Sequence, residues 1–209
     1  MTQGFAYNFV ALLVIIDPIG TAALFAGLTR AADDEARRRL AIRAVGIAGI
    51  TLLAFAISGD VVLRALGIGV PAFQIAGGAL LFLLAIDMVF ARHSGIRSLT
   101  PPENAEADQA HDISVFPLAI PLIAGPGALT TMVLLMGKTG GDWAAILMLL
   151  LVLMAVLAVT LLALLIAARM TRLLGVTGTN VVSRVLGILL AGLAAQLILD
   201  GITQALKVT

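Results

Sequence analysis

The sequence predicts an all-α integral membrane protein with six transmembrane segments, and three observations lead to this fold class. Of the 209 residues, 61% are hydrophobic and 12% are charged, against about 45–50% apolar and about 25% charged residues in soluble domains. Six apolar stretches are each long enough to cross a bilayer about 30 Å thick. One long polar stretch divides these six into two groups of three. The composition therefore excludes a soluble enzyme and a disordered chain.

The six apolar segments lie near residues 6–29, 41–63, 71–91, 114–136, 144–168 and 181–204. We predict a first three-helix repeat over 1–91, a linker over 92–113 and a second three-helix repeat over 114–209. The linker contains Pro101-Pro102 and four acidic residues, as expected of an exposed connection. With a net charge of +1 and no basic stripe, the chain is not expected to bind nucleic acid. Its expected environment is the lipid bilayer.

Basic residues are distributed unequally between the two ends of the predicted segments. Three lie at one end (Arg64, Lys138 and Lys207), and ten lie at the other (Arg30, Arg37, Arg38, Arg39, Arg43, Arg92, Arg97, Arg169, Arg172 and Arg184). Because Lys and Arg accumulate in cytoplasmic loops, the end with ten is predicted to be cytoplasmic. The linker is then cytoplasmic and both termini are extracytoplasmic.

The two halves of the chain resemble one another weakly. A shift of 108 residues aligns Gly125-Pro126-Gly127-Ala128 with Asp17-Pro18-Ile19-Gly20, and Arg172-Leu173-Leu174-Gly175-Val176 with Arg64-Ala65-Leu66-Gly67-Ile68. Since each repeat holds three segments, the copies must have opposite topology. Inverted repeats are typical of transporters that work by alternating access, and they bring matching points of segments 1 and 4 together near the membrane midplane.

Segments 1 and 4 are predicted to be broken at Pro18 and Pro126. Each proline lies about a dozen residues inside its segment, or about 18 Å at 1.5 Å per residue, and therefore near mid-bilayer. Proline interrupts a helix but is well suited to the first position of a new one. Asp17 can cap the free amides of the first restarted helix. At Gly125 no side chain competes for the amides, so they are predicted to receive a ligand carboxylate.

The candidate substrate-binding residues cluster at these two breaks. A charged Asp17 at the centre of a helix costs about 2.5–3.5 kcal/mol on insertion scales, so it is expected to face a partner, a cavity or a proton. An alternative interpretation of each proline is a simple kink, and of each threonine a bond to its own helix carbonyl. The predicted set is Asp17, Pro18, Gly20, Thr21, Gly125, Pro126, Gly127, Ala128, Thr130 and Thr131.

Other polar residues in the segments form a second tier. Gln74 lies in segment 3, Asp87 near the inner end of that segment, where snorkelling or interfacial pairing is expected, and Gln196 in segment 6, where it is interpreted as interhelical glue. Segments 2 and 5 contain few polar residues and are predicted to be peripheral. No metal site is expected at His93 or His111, which lie in the linker.

One run of residues resembles a known family. Phe116-Pro117-Leu118-Ala119-Ile120-Pro121-Leu122-Ile123-Ala124-Gly125-Pro126-Gly127-Ala128 closely resembles the signature of the MarC family of bacterial multipass inner-membrane proteins, and Asp17-Pro18-Ile19-Gly20 resembles its first-half counterpart. The family often has Asn after that first-half glycine, where this chain has Thr21. The resemblance covers essentially the whole chain. It implies transport or export in a bacterial inner membrane, since some members are regarded as transporters of small neutral amino acids.

The leading functional hypothesis is a secondary transporter of small zwitterionic solutes, with the carboxylate at the Gly125–Ala128 amides and the ammonium or a coupling cation at Asp17. No nucleotide-binding motif is present, so H⁺ or Na⁺ is the expected coupling ion and no cofactor is expected. An alternative is a membrane scaffold or export component without its own substrate. A third is an intramembrane hydrolase that uses Asp17 and Asp87 as a carboxylate pair. Homo-oligomerisation stays open.

Overall fold

The computed structural model describes residues 2–29, 32–90 and 113–208, and within these ranges every regular element is a helix. Almost all of the predicted linker lies outside the described residues, together with Arg30, Arg92, Arg97 and both histidines. The eight helices are α1 (Thr2–Ile16), α2 (Pro18–Leu28), α3 (Asp34–Ala65), α4 (Val70–Val89), α5 (Ser114–Ile123), α6 (Pro126–Lys138), α7 (Trp143–Leu165) and α8 (Ala167–Val208). Of these, α5 is a π-type helix.

The helices reproduce the six predicted segments. Among the described residues, five spans are long and apolar enough to cross a membrane: Gly4–Leu28, Asp34–Ala65, Val70–Val89, Trp143–Leu165 and Thr177–Lys207. The bent pair of α5 and α6 makes a sixth if it crosses as one unit, with 58° between its two arms. In lipid the backbone must satisfy its own hydrogen bonds, which a helix does along its length. The prediction of an all-α integral membrane protein is therefore confirmed.

Two segments extend beyond their predicted limits. Helix α3 begins at Asp34, where the carboxylate of Asp33 accepts a 2.7 Å bond from the amide of Ala36 and caps the helix. Helix α8 begins at Ala167 and contains a break at Gly175, whose backbone has φ 62° and ψ −177°. Only glycine adopts such a conformation readily. The break separates a short basic turn from the apolar span that follows it.

Helices α4 and α8 form a close pair through small residues. A Cβ atom on Gly78 would lie 2.9 Å from the carbonyl oxygen of Ala194, and one on Gly187 would lie 2.9 Å from the Cβ of Met88. Small residues of this kind let membrane helices approach closely. The glycines therefore determine how the third and sixth segments pack against each other.

Burial does not follow the predicted division into central and peripheral segments. The first span is the most buried of the five, in keeping with its polar residues Asp17 and Thr21. The least buried span is the last one, Thr177–Lys207, although α3 and α7 were expected to be less buried than it. The sequence predicted segments 2 and 5 to be peripheral and segment 6 to be central, and the position of segment 6 was wrong. Its polar residues were no sign of burial, because polar side chains can bond within their own helix.

Candidate functional site at two helix breaks

The first break is a single residue wide. Helix α1 ends at Ile16 and α2 begins at Pro18, as predicted, and Asp17 between them adopts a left-handed conformation with φ 50° and ψ 71°. Its carboxylate accepts a 3.0 Å hydrogen bond from the amide of Gly20, which confirms the predicted cap. Its exposed fraction is 2%. The break thus holds a buried carboxylate at the depth where the residue count places mid-bilayer.

The second break is longer and more sharply bent. Residues preceding a proline are driven away from helical geometry, and Phe116 and Ile120, which precede Pro117 and Pro121, are extended inside α5. The chain then leaves α5 and begins α6 at Pro126. A Cβ on Gly125 would lie 2.6 Å from the carbonyl oxygen of Pro121. Only glycine therefore fits between the two arms.

No side chain caps the beginning of α6. Gly125 occupies the cap position with φ −76° and ψ 168°, and no side-chain hydrogen bond is made there. The carbonyl of Gly125 accepts the amide of Leu129 at 3.0 Å, but the amides of Gly127 and Ala128 donate to no residue in the described ranges. The positive end of a helix dipole is therefore presented with donors available for an anion.

The two breaks lie beside each other. A Cβ on Gly127 would contact the side chain of Leu81 and would lie 3.7 Å from Cγ2 of Ile15, two residues before Asp17. A cavity of about 20 Å³ adjoins the second break, and it is lined by Ile15, Leu80, Leu84 and the chain from Pro121 to Ala128 except Ala124. A volume of this size holds about one water molecule. It is smaller than any amino acid, so the site is closed in this conformation.

The three predicted threonines have different surroundings. The hydroxyl of Thr21 donates to the carbonyl oxygen of Ile16 at 3.1 Å, across the first break. Thr130 packs where a Cβ on Gly77 would meet it, between α6 and α4. Thr131 is buried and its hydroxyl has no hydrogen-bond partner among the described residues. The hydroxyl of Thr131 is therefore available to a ligand.

Gln74 has a more prominent position than the sequence suggested. It is 1% exposed, and its side-chain Nε2 has no partner among the described residues. It lies one turn before Gly77, on the part of α4 that packs against α6. A buried donor without a partner is costly in the absence of a water, ion or ligand. The sequence showed only a single Gln side chain within an apolar segment. It could not show that this side chain is buried, because its burial depends on contacts between helices.

The other two second-tier residues lie away from this cluster of unpaired groups. Asp87 is half-buried near the end of α4. Gln196 is exposed, and its Nε2 donates to Oδ1 of Asp200 at 2.7 Å. These two residues are four apart on α8, so the interpretation of Gln196 as interhelical glue was wrong. A polar pair spaced by one turn satisfies itself without a neighbouring helix.

The helices and the two breaks define a polytopic α-helical membrane protein with interrupted segments. Comparison with known proteins narrows this class: the chain belongs to the MarC family, because the model of that family, described as "MarC family integral membrane protein", matches residues 2–206. The predicted family is thus confirmed.

Several relatives cover almost the whole chain. A UPF0056 membrane protein of Archaeoglobus fulgidus is 35% identical over 205 residues, which are 97% of this chain and 93% of the relative. The UPF0056 inner membrane protein YhgN of Escherichia coli (strain K12) is 33% identical over 198 residues, or 95% of each chain. YvbG of Bacillus subtilis (strain 168) is 34% identical, over 93% of this chain and 92% of its own. No solved structure matches the chain.

Proposed function

We propose that this protein is a secondary transporter or exporter of small neutral amino acids in a bacterial inner membrane, and not an enzyme. The observation that carries the proposal is the uncapped beginning of α6. The amides of Gly127 and Ala128 have no partner among the described residues and lie beside a cavity that also touches Ile15, two residues before the buried Asp17, which does not itself line the cavity. A carboxylate fits the amides, and an ammonium or a coupling H⁺ or Na⁺ fits Asp17.

An inverted repeat is part of this proposal. Supporting it, Pro18 and Pro126 each begin a helix at matched positions. The pairing of α4 with α8 is also reciprocal: a shift of 109 residues carries Gly78 onto Gly187 and Val89 onto Ile198, and a Cβ on Gly78 would contact Ile198 while one on Gly187 would contact Val89. Two copies related by a twofold axis in the membrane plane would produce such reciprocal contacts.

Transport further requires the site to open. The cavity of about 20 Å³ cannot hold an amino acid, so α6 must separate from α1 or α4 for a solute to enter. Gln74 on α4 and Thr131 on α6 favour a path along these two helices, because both are buried with a polar atom that has no partner among the described residues. A solute that moves past them would give those atoms the hydrogen bonds that they lack.

The test is counterflow of labelled glycine, alanine and serine in proteoliposomes. Asp17→Asn removes the negative charge and keeps an oxygen that can cap Gly20, so uptake is expected to fall at least tenfold while the protein stays folded. The matched control is Asp142→Asn. Asp142 also caps a helix, since it accepts hydrogen bonds from the amides of Ala144 and Ala145, but it lies just before the apolar span of α7. Equal uptake by both variants and the unmodified protein would remove Asp17 from the site.

A binding measurement separates the transporter from a scaffold without a substrate. A ligand that binds only the folded state stabilises it by mass action and so raises the unfolding temperature. At a ligand concentration one hundred times the dissociation constant, the free energy of unfolding increases by about 2.7 kcal/mol. The expected result is a concentration-dependent rise with at least one small zwitterion in detergent solution. No rise with any of the twenty amino acids, together with no counterflow, would favour the scaffold.

A further inference from the structure

A second and much larger concavity lies on the face that the charge distribution predicts to be cytoplasmic. This basic groove has a volume of about 980 Å³ and is formed by the C-terminal ends of α2 and α7 and the N-terminal ends of α3 and α8. None of the ten residues predicted to bind substrate lines it. The groove is therefore separate from the proposed transport site and requires its own explanation.

The floor of the basic groove is apolar and belongs to the membrane-spanning helices. On α2 it is lined by Leu24 and Leu28, which are 40% and 38% exposed, and at the end of α7 by Leu165 and the next residue, Ile166, which are 44% and 49% exposed. Apolar side chains open to the outside within a bilayer span contact hydrocarbon. The floor is therefore suited to an acyl chain and provides nothing that would bind a small soluble anion.

The rim of the groove is basic. Arg37 is already engaged, since its Nε donates to the carbonyl oxygen of Thr29 at 3.0 Å. Arg38, Arg169 and Arg172 also line the groove, and no ion pair joins any of the three to a residue that the structure describes. Among the residues that the structure describes, Asp34 is the one acidic residue on the rim. The rim therefore carries an excess of positive charge with guanidinium groups available for an anion.

The break at Gly175 places two of these arginines over the floor. Gly175 itself lines the groove, and its left-handed backbone separates the basic beginning of α8 from the span that starts at Thr177. Arg169 and Arg172 are three residues apart and therefore lie on the same side of this short turn. The backbone break thus lets a charged turn lie at the edge of an apolar floor.

We propose that the basic groove binds an anionic phospholipid, with its phosphate among Arg38, Arg169 and Arg172 and an acyl chain along the floor. Guanidinium groups hold phosphate oxygens in paired hydrogen bonds, and basic pockets between helices on the cytoplasmic side bind anionic headgroups. A soluble phosphate would use only the rim, and a zwitterionic phospholipid would bring no net charge. The combination of charged rim and apolar floor matches one molecule that has both parts.

The experiment measures lipid binding to the purified full-length protein in detergent by native mass spectrometry. Phosphatidylglycerol is expected to bind, while phosphatidylcholine with the same acyl chains and glycerol 3-phosphate are not. R38Q/R169Q/R172Q is expected to weaken phosphatidylglycerol binding about 100-fold, since each basic residue near an anionic headgroup contributes about fivefold. The matched control R64Q/K138Q/K207Q removes the same charge from the opposite face and is expected to bind normally.

A second pair of variants tests the floor without changing any charge. A Cβ on Gly27, which lines the groove, meets nothing within 4 Å, so Gly27→Trp is expected to fill the groove and weaken binding by at least tenfold. Gly46→Trp is the control, because Gly46 is equally unobstructed and does not line the groove. Unchanged binding in Gly27→Trp would overturn the proposal, even if the triple arginine variant were misfolded.

Three further results would also contradict the lipid assignment. Binding of glycerol 3-phosphate as tightly as phosphatidylglycerol would indicate a soluble phosphate site at the rim. An equal loss in the two triple variants would indicate a response to net charge and not to the groove. Binding that appears only after the four acidic residues of the linker are neutralised would assign the groove to the linker itself.

Discussion

The cap at the first break offers a prediction whose size can be worked out from the structure. Asp17 contributes in two ways: its carboxylate accepts the Gly20 amide at 3.0 Å, and its backbone is left-handed at φ 50°. Loss of a capping side chain to alanine costs about 0.5–2 kcal/mol, and a left-handed alanine costs about 1–2 kcal/mol more. Asp17→Ala is therefore expected to destabilise the protein by about 1.5–4 kcal/mol.

The two contributions separate in a series of three variants. Asp17→Gly loses the cap but not the backbone fit, so it is expected to cost about 1 kcal/mol or less. Asp17→Asn keeps an oxygen acceptor and tolerates the left-handed backbone, so its cost is expected to be close to zero. At about 2–4 °C per kcal/mol for a chain of this length, Asp17→Ala is expected to lower the unfolding midpoint by about 3–16 °C. Thermal unfolding in detergent measures all three.

A double-mutant cycle tests whether the Gly20 amide is the partner that matters. A Cβ on Gly20 would contact the carboxylate of Asp17, with Cγ at 2.9 Å, so Gly20→Ala displaces the cap. The double variant with Asp17→Ala should cost about 1 kcal/mol less than the sum of the single variants. Gly46→Ala is the control and should be neutral or stabilising by up to about 1 kcal/mol. Additive losses, or an Asp17→Asn variant as unstable as Asp17→Ala, would refute the reasoning.

Three further predictions concern the buried polar groups, the helix pairing and the topology. Thr131→Val removes a buried hydroxyl that has no partner among the described residues, so it is expected to raise the free energy of unfolding by about 1 kcal/mol. Thr160→Val removes a 2.8 Å hydrogen bond to the carbonyl oxygen of Val156 and is expected to give no such gain. Equal shifts of the unfolding midpoint in the two variants would contradict this prediction. In a chain without cysteines, Gly187→Cys with Met88→Cys should form a disulfide on mild oxidation, and no mobility shift on a non-reducing gel would contradict the pairing of α4 with α8. A reporter fused after residue 209 should be active only outside the cytoplasm, and cytoplasmic activity would reverse the orientation.

Much of the fold was predictable because lipid leaves the backbone few choices. Apolar runs long enough to cross a bilayer must be helical there, and Pro18 and Pro126 determine where new helices begin because proline favours the first helical position. The capping role of Asp17 followed from the same local chemistry. These predictions depend on short stretches of sequence and needed no knowledge of which helices touch.

The features that the sequence did not reveal depend on contacts between distant residues. The unpaired states of Gln74 and Thr131 arise from their burial among packed helices, and the size of the cavity beside Gly127 depends on the side chains of Ile15, Leu80 and Leu84. A signal for the irregular α5 was present, since Pro117 and Pro121 each disfavour a helical residue before them. Similarly, the arginines of α3 and α8 were interpreted as topology signals alone, because the groove between them forms only in the folded chain.

The backbone at the two breaks restricts which amino acids those positions accept. A left-handed residue 17 whose side chain must accept a hydrogen bond admits Asp or Asn, and residue 125, held 2.6 Å from a carbonyl oxygen at its missing Cβ, admits glycine alone. A relative that binds a different solute, or none, is expected to retain these residues, because its chain has to bend at the same places. Retention of the motif therefore reports a shared backbone geometry, and differences in function between relatives are to be sought in the side chains around it.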